Sequence, residues 1–449
     1  MSKLKILIIA DEVWNDRIHG NNVLTNWFTG FDAEFAEVYC SPGAPSNPVC
    51  TRYFQVTDAM MAKSLMGKRA GHAFETEILE MQASEVAPAA EPIPEKFYST
   101  MKSLAGEPLR AVRDMIWLTG RYNQEALKKI IDDFQPDVVF CPRLLSPKLM
   151  RLEKIISKMT TAPFVAFTAD DEASMMQVSY SPLYWIKRLL FRSAFKNHVK
   201  LYKHYFTFSA EQACDYNAQY DISTSTLYKS GDFSHNFVKK EVNDPIKLVY
   251  AGRLYCNRWK TLAAVADALK VINVDGIRMT LDIYTQEKVT DEHRKEILTS
   301  EAVKIHDRVS PQELTEIYRE ADVALHVESF EKKYRYATRV SFSTKIIDLM
   351  SSTCAILAIC WDRHAGFQYL QEHDAAFCVD EVTKIEPQLL QLAMQPELIT
   401  EYARKAWNCG KQNHQRELIQ DELMNVFKRI MQQHKGGALI SDNSDSAKL

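Results

Sequence analysis

Short apolar runs alternate with amphipathic stretches along most of the chain. The run KLKILIIAD at residues 3–11 has the near-continuous apolar character of a central strand in a parallel sheet. Helix-like stretches, such as NQEALKKIIDDF at residues 123–134, separate such runs. This alternation predicts doubly wound α/β sheets. The predicted strands lie at residues 3–11, 136–142, 163–171, 204–210, 246–252, 278–284, 302–307, 321–327 and 354–360.

A polar segment, KKEVNDP at residues 239–245, interrupts the alternation before it restarts. Because 449 residues exceed the size of one ordinary compact core, we expect two domains. Both should be Rossmann-like and face each other across a cleft, with C-terminal helices returning toward the first domain. In chain order we expect a first domain at 1–238 with a mobile insertion near 56–110, a second domain at 245–400, a helix packing across the domains at 401–435, and a disordered tail at 436–449.

The composition is that of a soluble globular protein, with 46% hydrophobic and 25% charged residues. The net charge of −3 gives no overall attraction for nucleic acid, so any affinity for phosphate must be local. The nine cysteines include no C-x-x-C pair, which fits neither a zinc site nor a disulfide framework and favours a cytoplasmic setting. Neither half has a G-x-G-x-x-G turn after its first strand, which disfavours an ordinary NAD enzyme.

Two cations follow the first predicted strand of the second domain, in the stretch YAGRLYCNRWKTL at residues 250–262. Arg253 comes directly after the strand, and Lys260 lies near the start of the next helix. Parallel sheets bind ligands beyond the carboxyl ends of their strands. A cation at the positive end of a helix is unfavourable unless an anion shares the site. The pair is therefore a candidate diphosphate site, and solvated surface cations are the alternative.

The stretch VSFSTKIIDLMSS at residues 340–352 predicts a second helix start. Ser343 or Thr344 can cap this helix, and Lys345 and Asp348 lie on its polar flank. A hydroxyl, backbone amides and an ammonium at a helix N-terminus can hold a phosphate, while Asp348 could accept hydrogen bonds from a ribose. A capped helix with a solvent-facing Lys–Asp pair is the alternative.

Taken together, LVYAGRL…K and ADVALHVESF…FSTKIIDLMSSTCAILAI resemble retaining glycosyltransferases of the GT-B fold, in particular glycosyltransferase family 4. The resemblance implies that Arg253 and Lys260 hold the diphosphate of a nucleotide-sugar donor. It also places Asp348 at the second acid of the family's E-x7-E element. The chain departs from that element, because Val340 stands at the position of the first acid and Glu328 is the nearest acid upstream.

In the first domain, the loop RIHGNNVLTNWF at residues 17–28 follows the first strand. The resemblance implies that Gly20 and Asn21 approach the donor diphosphate and the acceptor, although a polar loop before an amphipathic helix is an equally ordinary explanation. Arg143 stands at a strand end where family members often carry a histidine, and we place it on the acceptor side. His19 could substitute for that histidine.

Acids crowd another strand end in TADDEAS at residues 168–174. Asp170 or Asp171 could act on the acceptor hydroxyl, and Glu328 is the third candidate for a catalytic carboxylate. A helix N-cap with acids favoured by the helix dipole is the alternative. We expect no metal, because cationic side chains would already neutralise the diphosphate.

These observations predict a hexosyltransferase that moves a sugar from a nucleotide-diphosphate sugar to a saccharide or lipid-linked acceptor, in surface polysaccharide or glycoconjugate assembly. Retention of configuration is implied by the resemblance alone. The alternatives are a nucleotide-sugar epimerase of the same fold and a non-catalytic nucleotide-sugar-binding partner. The basic amphipathic segment at residues 181–204 could lie on the inner face of a membrane, or be an ordinary packed helix with a basic outer face.

Overall fold

The computed structural model describes residues 3–17, 23–77, 106–142, 146–171, 174–238 and 241–445. For residues 106–111 and 435–445 it describes the backbone alone. Within these ranges the chain forms two α/β domains, each built around its own sheet.

The sheet of the first domain has eight strands in the order β4-β3-β2-β1-β5-β6-β7-β8. All neighbours are parallel except β3 and β4, which are antiparallel. Its strands are β1 Leu4–Ala10, β2 Ala33–Tyr39, β3 Arg52–Gln55, β4 His72–Glu75, β5 Val138–Pro142, β6 Phe164–Thr168, β7 Tyr202–Thr207 and β8 Thr224–Thr226. The helices between them are α1 Val23–Phe28, α2 Asp58–Ser64, α3 Gly106–Thr119, α4 Gln124–Phe134, α5 Pro147–Ile156, α6 Pro182–His198 and α7 Ala210–Tyr220.

The sheet of the second domain has six parallel strands in the order β11-β10-β9-β12-β13-β14. Its strands are β9 Ile246–Ala251, β10 Met279–Tyr284, β11 Val303–His306, β12 Val323–Val327, β13 Ala355–Ile359 and β14 Phe377–Val379. The helices between them are α8 Arg258–Ile272, α9 Asp291–Ile297, α10 Pro311–Glu320, α11 Lys332–Thr338, α12 Thr344–Ser351 and α13 Ala365–Glu372.

Helices cover both faces of each sheet, which explains the apolar runs in the sequence. Every residue of β5, β6, β12 and β13 is buried. A strand that packs against helices on both faces cannot alternate apolar with polar positions. The prediction of two doubly wound α/β domains is confirmed.

The chain ends in α14 Ile385–Met394, α15 Glu397–Asn413 and α16 Arg416–Asp445, and α16 returns to the first domain as expected. The side-chain amide of Gln420 donates to the carbonyls of Trp27 and Thr29 at 2.8 and 2.9 Å. Phe427 is fully buried against Phe31 and Phe140, with ring centroids 6.3 and 6.0 Å apart. The last long helix therefore completes the core of the first domain.

Two segments differ from the sequence-based expectation. Residues 58–75, which we placed within a mobile insertion, form α2 and β4, and their side chains join the core through buried Met61 and Ala70. The backbone of α16 continues beyond residue 435, where we expected the helix to end and a disordered tail to begin.

The two domains also meet through polar contacts beside α11. Arg339, which follows α11, is buried and pairs with Glu211 and Asp215 on α7 of the first domain. The amide of Gln177 donates to the carbonyl of Tyr336 at 3.4 Å. These contacts fix the edge of the cleft between the domains.

Candidate functional site

The candidate site lies where the strand order of the second sheet reverses. Strands β9 and β12 are neighbours, although β10 and β11 come between them in the chain. A reversal of this kind leaves a crevice outside the carboxyl ends of the two strands, where α/β proteins bind ligands. Arg253 follows the end of β9, and Glu328 follows the end of β12.

Lys345 reaches this crevice from the first turn of α12. Its ammonium donates to the carbonyl of Ala251, the last residue of β9, at 3.1 Å. Gly252 allows this approach, since a Cβ there would lie 2.7 Å from the Lys345 Nζ atom. The structure thus brings together Lys345 and the strand end that precedes Arg253, from the two stretches that the sequence analysis proposed for phosphate binding.

The charge of Lys345 is destabilised by its protein surroundings. The residue as a whole is exposed, while its ammonium lies against the carbonyl of Ala251. Burial and the nearby guanidinium of Arg258, with a smaller contribution from Arg253, lower the pKa of Lys345 to about 8. An anion that binds beside this ammonium would stabilise its charged form.

Arg258, at the start of α8, is a third cation at this site. Its guanidinium grips the carboxylate of Glu328 at two points, and the Nε–Oε2 distance is 2.9 Å. Both side chains are largely buried. Arg253 and Arg258 also lie over the ring of Tyr255, at 6.0 and 4.5 Å from its centroid. Glu328, a candidate catalytic carboxylate in the sequence analysis, forms this ion pair in the structure. Its catalytic role stays a prediction.

Sequence reasoning missed Arg258, although it lies inside the stretch that raised the question of a diphosphate site. The available signal was its position at the first residue of α8, closer to the strand end than Lys260. The chain reaches that residue through Cys256 and Asn257, which both have positive φ, of 57° and 58°. This left-handed turn sets where α8 begins, and the sequence did not indicate it.

Lys260 lies further out than Arg258. Its ammonium donates to the carboxylate of Glu331 at 2.6 Å, and both side chains are about half exposed. The same carboxylate oxygen accepts from the side-chain amide of Asn257 at 3.0 Å. Lys260 is therefore engaged at the rim by Glu331, the residue that precedes α11 and that Asn257 also binds.

The start of α12 has the predicted position. Ser343 is the N-cap residue, but its hydroxyl makes no capping hydrogen bond, and Thr344 is the first helical residue. One turn further, Asp348 pairs with Lys229 at 2.7 Å and is partly exposed. The predicted ribose contact would therefore share this carboxylate with Lys229.

The two acids at the end of β6 contact their own loop and the helices α6 and α7. The carboxylate of Asp171 is almost fully buried and accepts from the Ser174 hydroxyl at 2.6 Å and from Arg188 at 3.5 Å. The carbonyl of Asp170 accepts from the side-chain amide of Gln212 at 2.9 Å. For Asp171 this arrangement orders the loop between β6 and α6.

Four predicted residues lie outside the described residues: His19, Gly20, Asn21 and Arg143. Their roles remain predictions based on the sequence.

A second cluster of chemically capable residues lies below the crevice. His326 on β12, Cys360 after β13 and His364 before α13 are buried, and one ligand atom from each lies within 4.8 Å of the others. The Nε2 atom of His326 and both ring nitrogens of His364 have no hydrogen-bond partner among the described residues. Imidazole and thiolate groups can hold zinc, but the charges of Arg258 and Lys345 act on His326 and oppose a dication. The spacing of these residues in the sequence gave no sign of the cluster.

Comparison with known proteins places this architecture among GT-B folds. No family model matches the chain, and no curated protein matches its sequence. Among solved structures, the sucrose-phosphate synthase of Thermosynechococcus elongatus superposes with a TM-score of 0.58 at 11% identity, covering 96% of this chain and 100% of that one.

Two further structures cover nearly the whole chain. Anabaena Alr3699/HepE, solved in complex with UDP and glucose, has a TM-score of 0.57 at 12% identity and covers 95% of this chain and 100% of that one. A putative UDP-N-acetylglucosamine 2-epimerase from Listeria monocytogenes has a TM-score of 0.51 at 8% identity, with coverage of 96% and 97%. Since the similarity extends over both domains, the chain has the GT-B fold that its second domain led us to expect.

Proposed function

We propose that this protein is a glycosyltransferase that moves a sugar from a nucleotide-diphosphate sugar to an acceptor. The observation that carries the proposal is the convergence of Arg253, Arg258 and Lys345 at the strand-order reversal of the second sheet. Within the part of the chain that the structure describes, Arg258 is the only one of the three that a carboxylate, that of Glu328, binds at two points. The remaining positive charge suits a diphosphate.

In this proposal the diphosphate lies between Arg253 and the N-terminus of α12. Lys345, Ser343 and Thr344 hold it from the helix side, with the helix dipole in its favour. Lys260 would release Glu331 and contact the diphosphate instead. Asp348 would accept hydrogen bonds from the ribose hydroxyls. As the bond between sugar and diphosphate breaks, negative charge grows on the diphosphate, and fixed cations stabilise that charge more in the transition state than in the ground state.

The acceptor would enter from the first domain, across the cleft. Sucrose-phosphate synthase and HepE share the fold, and HepE was solved with UDP and glucose, which supports a UDP-sugar as the first donor to test. A hexose as the transferred sugar, retention of configuration and a saccharide or lipid-linked acceptor are parts of the same proposal.

The test combines binding with product analysis. The protein is screened by thermal shift against UDP-, GDP-, TDP- and ADP-sugars, because a ligand that binds the native state raises its melting temperature. Mass spectrometry of the reaction then shows whether free nucleoside diphosphate and an extended acceptor form. We expect a stabilising nucleotide sugar whose effect disappears in Lys345→Ala and persists in Lys304→Ala, an exposed lysine on β11. No stabilisation by any nucleotide sugar would contradict the proposal.

The same products distinguish the two alternatives. An isomerised donor without transfer would show an epimerase, the activity for which the Listeria protein of this fold is named. Tight binding without turnover with any acceptor would show a non-catalytic nucleotide-sugar-binding partner.

A further inference from the structure

Helix α6 of the first domain carries an apolar stripe that faces solvent. Leu183, Ile186 and Leu190 recur at the i, i+3 and i+7 spacing of one helix face, and Leu189 lies beside them. These four side chains are 51–67% exposed. A stripe of this kind on a helix of a globular domain is unusual, because the apolar face of such a helix normally packs against the core.

The loop before α6 extends the apolar surface. Met175 and Met176 are exposed, and Tyr180 is 98% exposed. Together these seven residues account for about a third of the 22 large exposed hydrophobic side chains among the described residues, within a span of 16 positions. We call them the α6 patch: Met175, Met176, Tyr180, Leu183, Ile186, Leu189 and Leu190.

The opposite side of α6 is anchored, which holds the α6 patch outward. Arg188 donates to the carbonyl of Ser174 at 2.6 Å and pairs with buried Asp171. Further along the helix, Phe195 and His198 are buried, and the His198 Nε2 atom lies 2.7 Å from the Glu153 carboxylate. The exposed stripe is therefore a fixed feature of the fold.

The charged residues along this segment of the chain have one sign. From Ser174 to Ala210 the sequence contains six lysines and arginines and no aspartate or glutamate, although the whole chain has a net charge of −3. Lys187, Lys196, Lys200 and Lys203 are exposed in this segment. Apolar side chains flanked by lysines match a surface that offers hydrocarbon beneath a layer of negative charge.

We propose that the α6 patch and its lysines dock the protein on an anionic lipid bilayer as a peripheral membrane protein. None of the described helices combines the length and apolar character required to span a bilayer, so this contact would lie in the interface. Charge complementarity favours this occupant over a second copy of the chain, because the lysines that flank the α6 patch would repel the same lysines of that copy.

The α6 patch also borders the cleft. Gln177, between Met176 and α6, donates to the carbonyl of Tyr336 on α11 of the second domain. Helix α11 follows Glu331, the partner of Lys260. Docking through the α6 patch would thus bring the cleft close to the lipid surface, where an acceptor attached to a lipid would be within reach. This last step depends on the proposed function, whereas docking itself does not.

The test measures binding to vesicles by co-sedimentation, with no nucleotide present. We expect the protein to bind vesicles that contain phosphatidylglycerol and to be released from them by raised salt or when phosphatidylcholine replaces that lipid. The variant Ile186→Ser/Leu190→Ser should lower the partition coefficient by about tenfold or more. The matched control Val271→Ser/Val274→Ser changes apolar residues of the second domain that are at least as exposed and should bind like the wild type.

A second pair of variants isolates the charge. Lys196→Gln/Lys200→Gln should weaken vesicle binding several-fold, whereas Lys295→Gln/Lys304→Gln, in the second domain, should not. Tyr180→Ser provides a variant that cannot disturb the core, because this side chain is almost wholly exposed. Melting temperatures show whether each variant is folded.

Three results would overturn docking: no binding to anionic vesicles, binding that the α6 variants leave unchanged, or a dimer in solution that Ile186→Ser/Leu190→Ser dissociates. Vesicle binding without sugar transfer would instead contradict the proposed function alone. Sugar transfer by a protein that does not bind vesicles would contradict docking alone.

Discussion

The guanidinium of Arg258 and the carboxylate of Glu328 join the first turn of α8 to the end of β12 through a buried ion pair that bonds at two points. Burial of this pair removes it from solvent screening, so each charge depends on the other. The neighbouring pair of Lys260 and Glu331 links the same two chain segments at the surface. Both pairs join the same two segments, but one pair is buried and the other is exposed. The effect of burial on the stability of an ion pair can therefore be compared directly.

We expect Glu328→Ala to lower the free energy of unfolding by about 3–5 kcal/mol, because it leaves the guanidinium of Arg258 buried without its partner. Glu331→Ala should lower it by about 0–1 kcal/mol, because solvent already screens the exposed pair. Urea denaturation of both variants measures the difference. Similar costs in the two variants would show that the buried pair contributes no more than the surface pair.

The cations of the crevice should differ in their contribution to donor binding. Arg253→Ala and Lys345→Ala should each weaken UDP binding by about 10- to 100-fold, the loss expected for a hydrogen bond to a charged group. Lys260→Ala should weaken UDP binding less, because this lysine must first release Glu331 before it can contact the diphosphate. Calorimetric titration with UDP gives the three affinities, and Lys304→Ala serves as the control. A loss confined to Lys260→Ala would place the diphosphate at the rim.

The lowered pKa of Lys345 predicts a pH dependence of binding. Its ammonium is present below about pH 8 and is lost as the pH rises through that value, so affinity for an anionic diphosphate should fall between about pH 7 and pH 9. In Lys345→Arg the charge persists throughout this range, and the fall should be smaller. UDP titrations at several pH values test this, and parallel curves for the two proteins would exclude Lys345 as the titrating group.

The stability of the fold should change with pH in the opposite direction to the affinity for UDP. The pKa of Lys345 is lower in the folded protein than in the unfolded chain, so between about pH 8 and pH 10.5 the unfolded chain binds more protons. This residue therefore contributes to a rise in stability as the pH increases through that window. The contribution should disappear in Lys345→Met.

The contacts of Arg339 should control how tightly the domains associate. Arg339→Ala removes a buried cation from between Glu211 and Asp215 and leaves two acids of the first domain without it. We expect faster amide hydrogen exchange in α7 and α11, with the strands of both sheets unchanged. Arg319→Ala, which breaks an exposed pair with Glu316 inside α10, is the control. Unchanged exchange at α7 would show that other contacts hold the domains.

Chelation should leave donor binding intact, because Arg253, Arg258 and Lys345 supply the positive charge at the crevice. We expect the UDP affinity and melting temperature to be the same with and without EDTA. A melting temperature that falls on chelation, and no longer does so in His364→Ala, would instead place a metal at His326, Cys360 and His364.

The apolar runs predicted the central strands because those strands are buried on both faces, but β2 was missed. Its sequence AEFAEVY contains Glu37, a charged residue type at a position with no solvent exposure. Burial raises the pKa of Glu37 to about 8, although the backbone amide of Trp14 donates to its carboxylate at 3.3 Å. A buried acid interrupts the apolar pattern, and a pattern alone cannot show that a neutral, hydrogen-bonded carboxyl belongs to a core.

At the site, the sequence indicated which segments meet but not which side chains face each other. Lys345 was predicted, since it lies at a helix start, on the polar flank of that helix. Arg258 was not, because its role depends on the left-handed turn at Cys256 and Asn257 and on a partner 70 residues away. The sequence proposed Asp171 as a candidate catalytic carboxylate but did not indicate its partners, Ser174 and Arg188, which only the folded loop brings to it.

The return of α16 to the first domain has a consequence for biosynthesis. Phe427 and Gln420 complete the surroundings of Phe31 and Trp27, yet the ribosome makes them after the entire second domain. During translation the aromatic surface of the nascent first domain therefore stays uncovered until α16 has been synthesised. A polypeptide truncated after residue 238 would keep that surface exposed permanently, so aggregation is the expected fate of the isolated half.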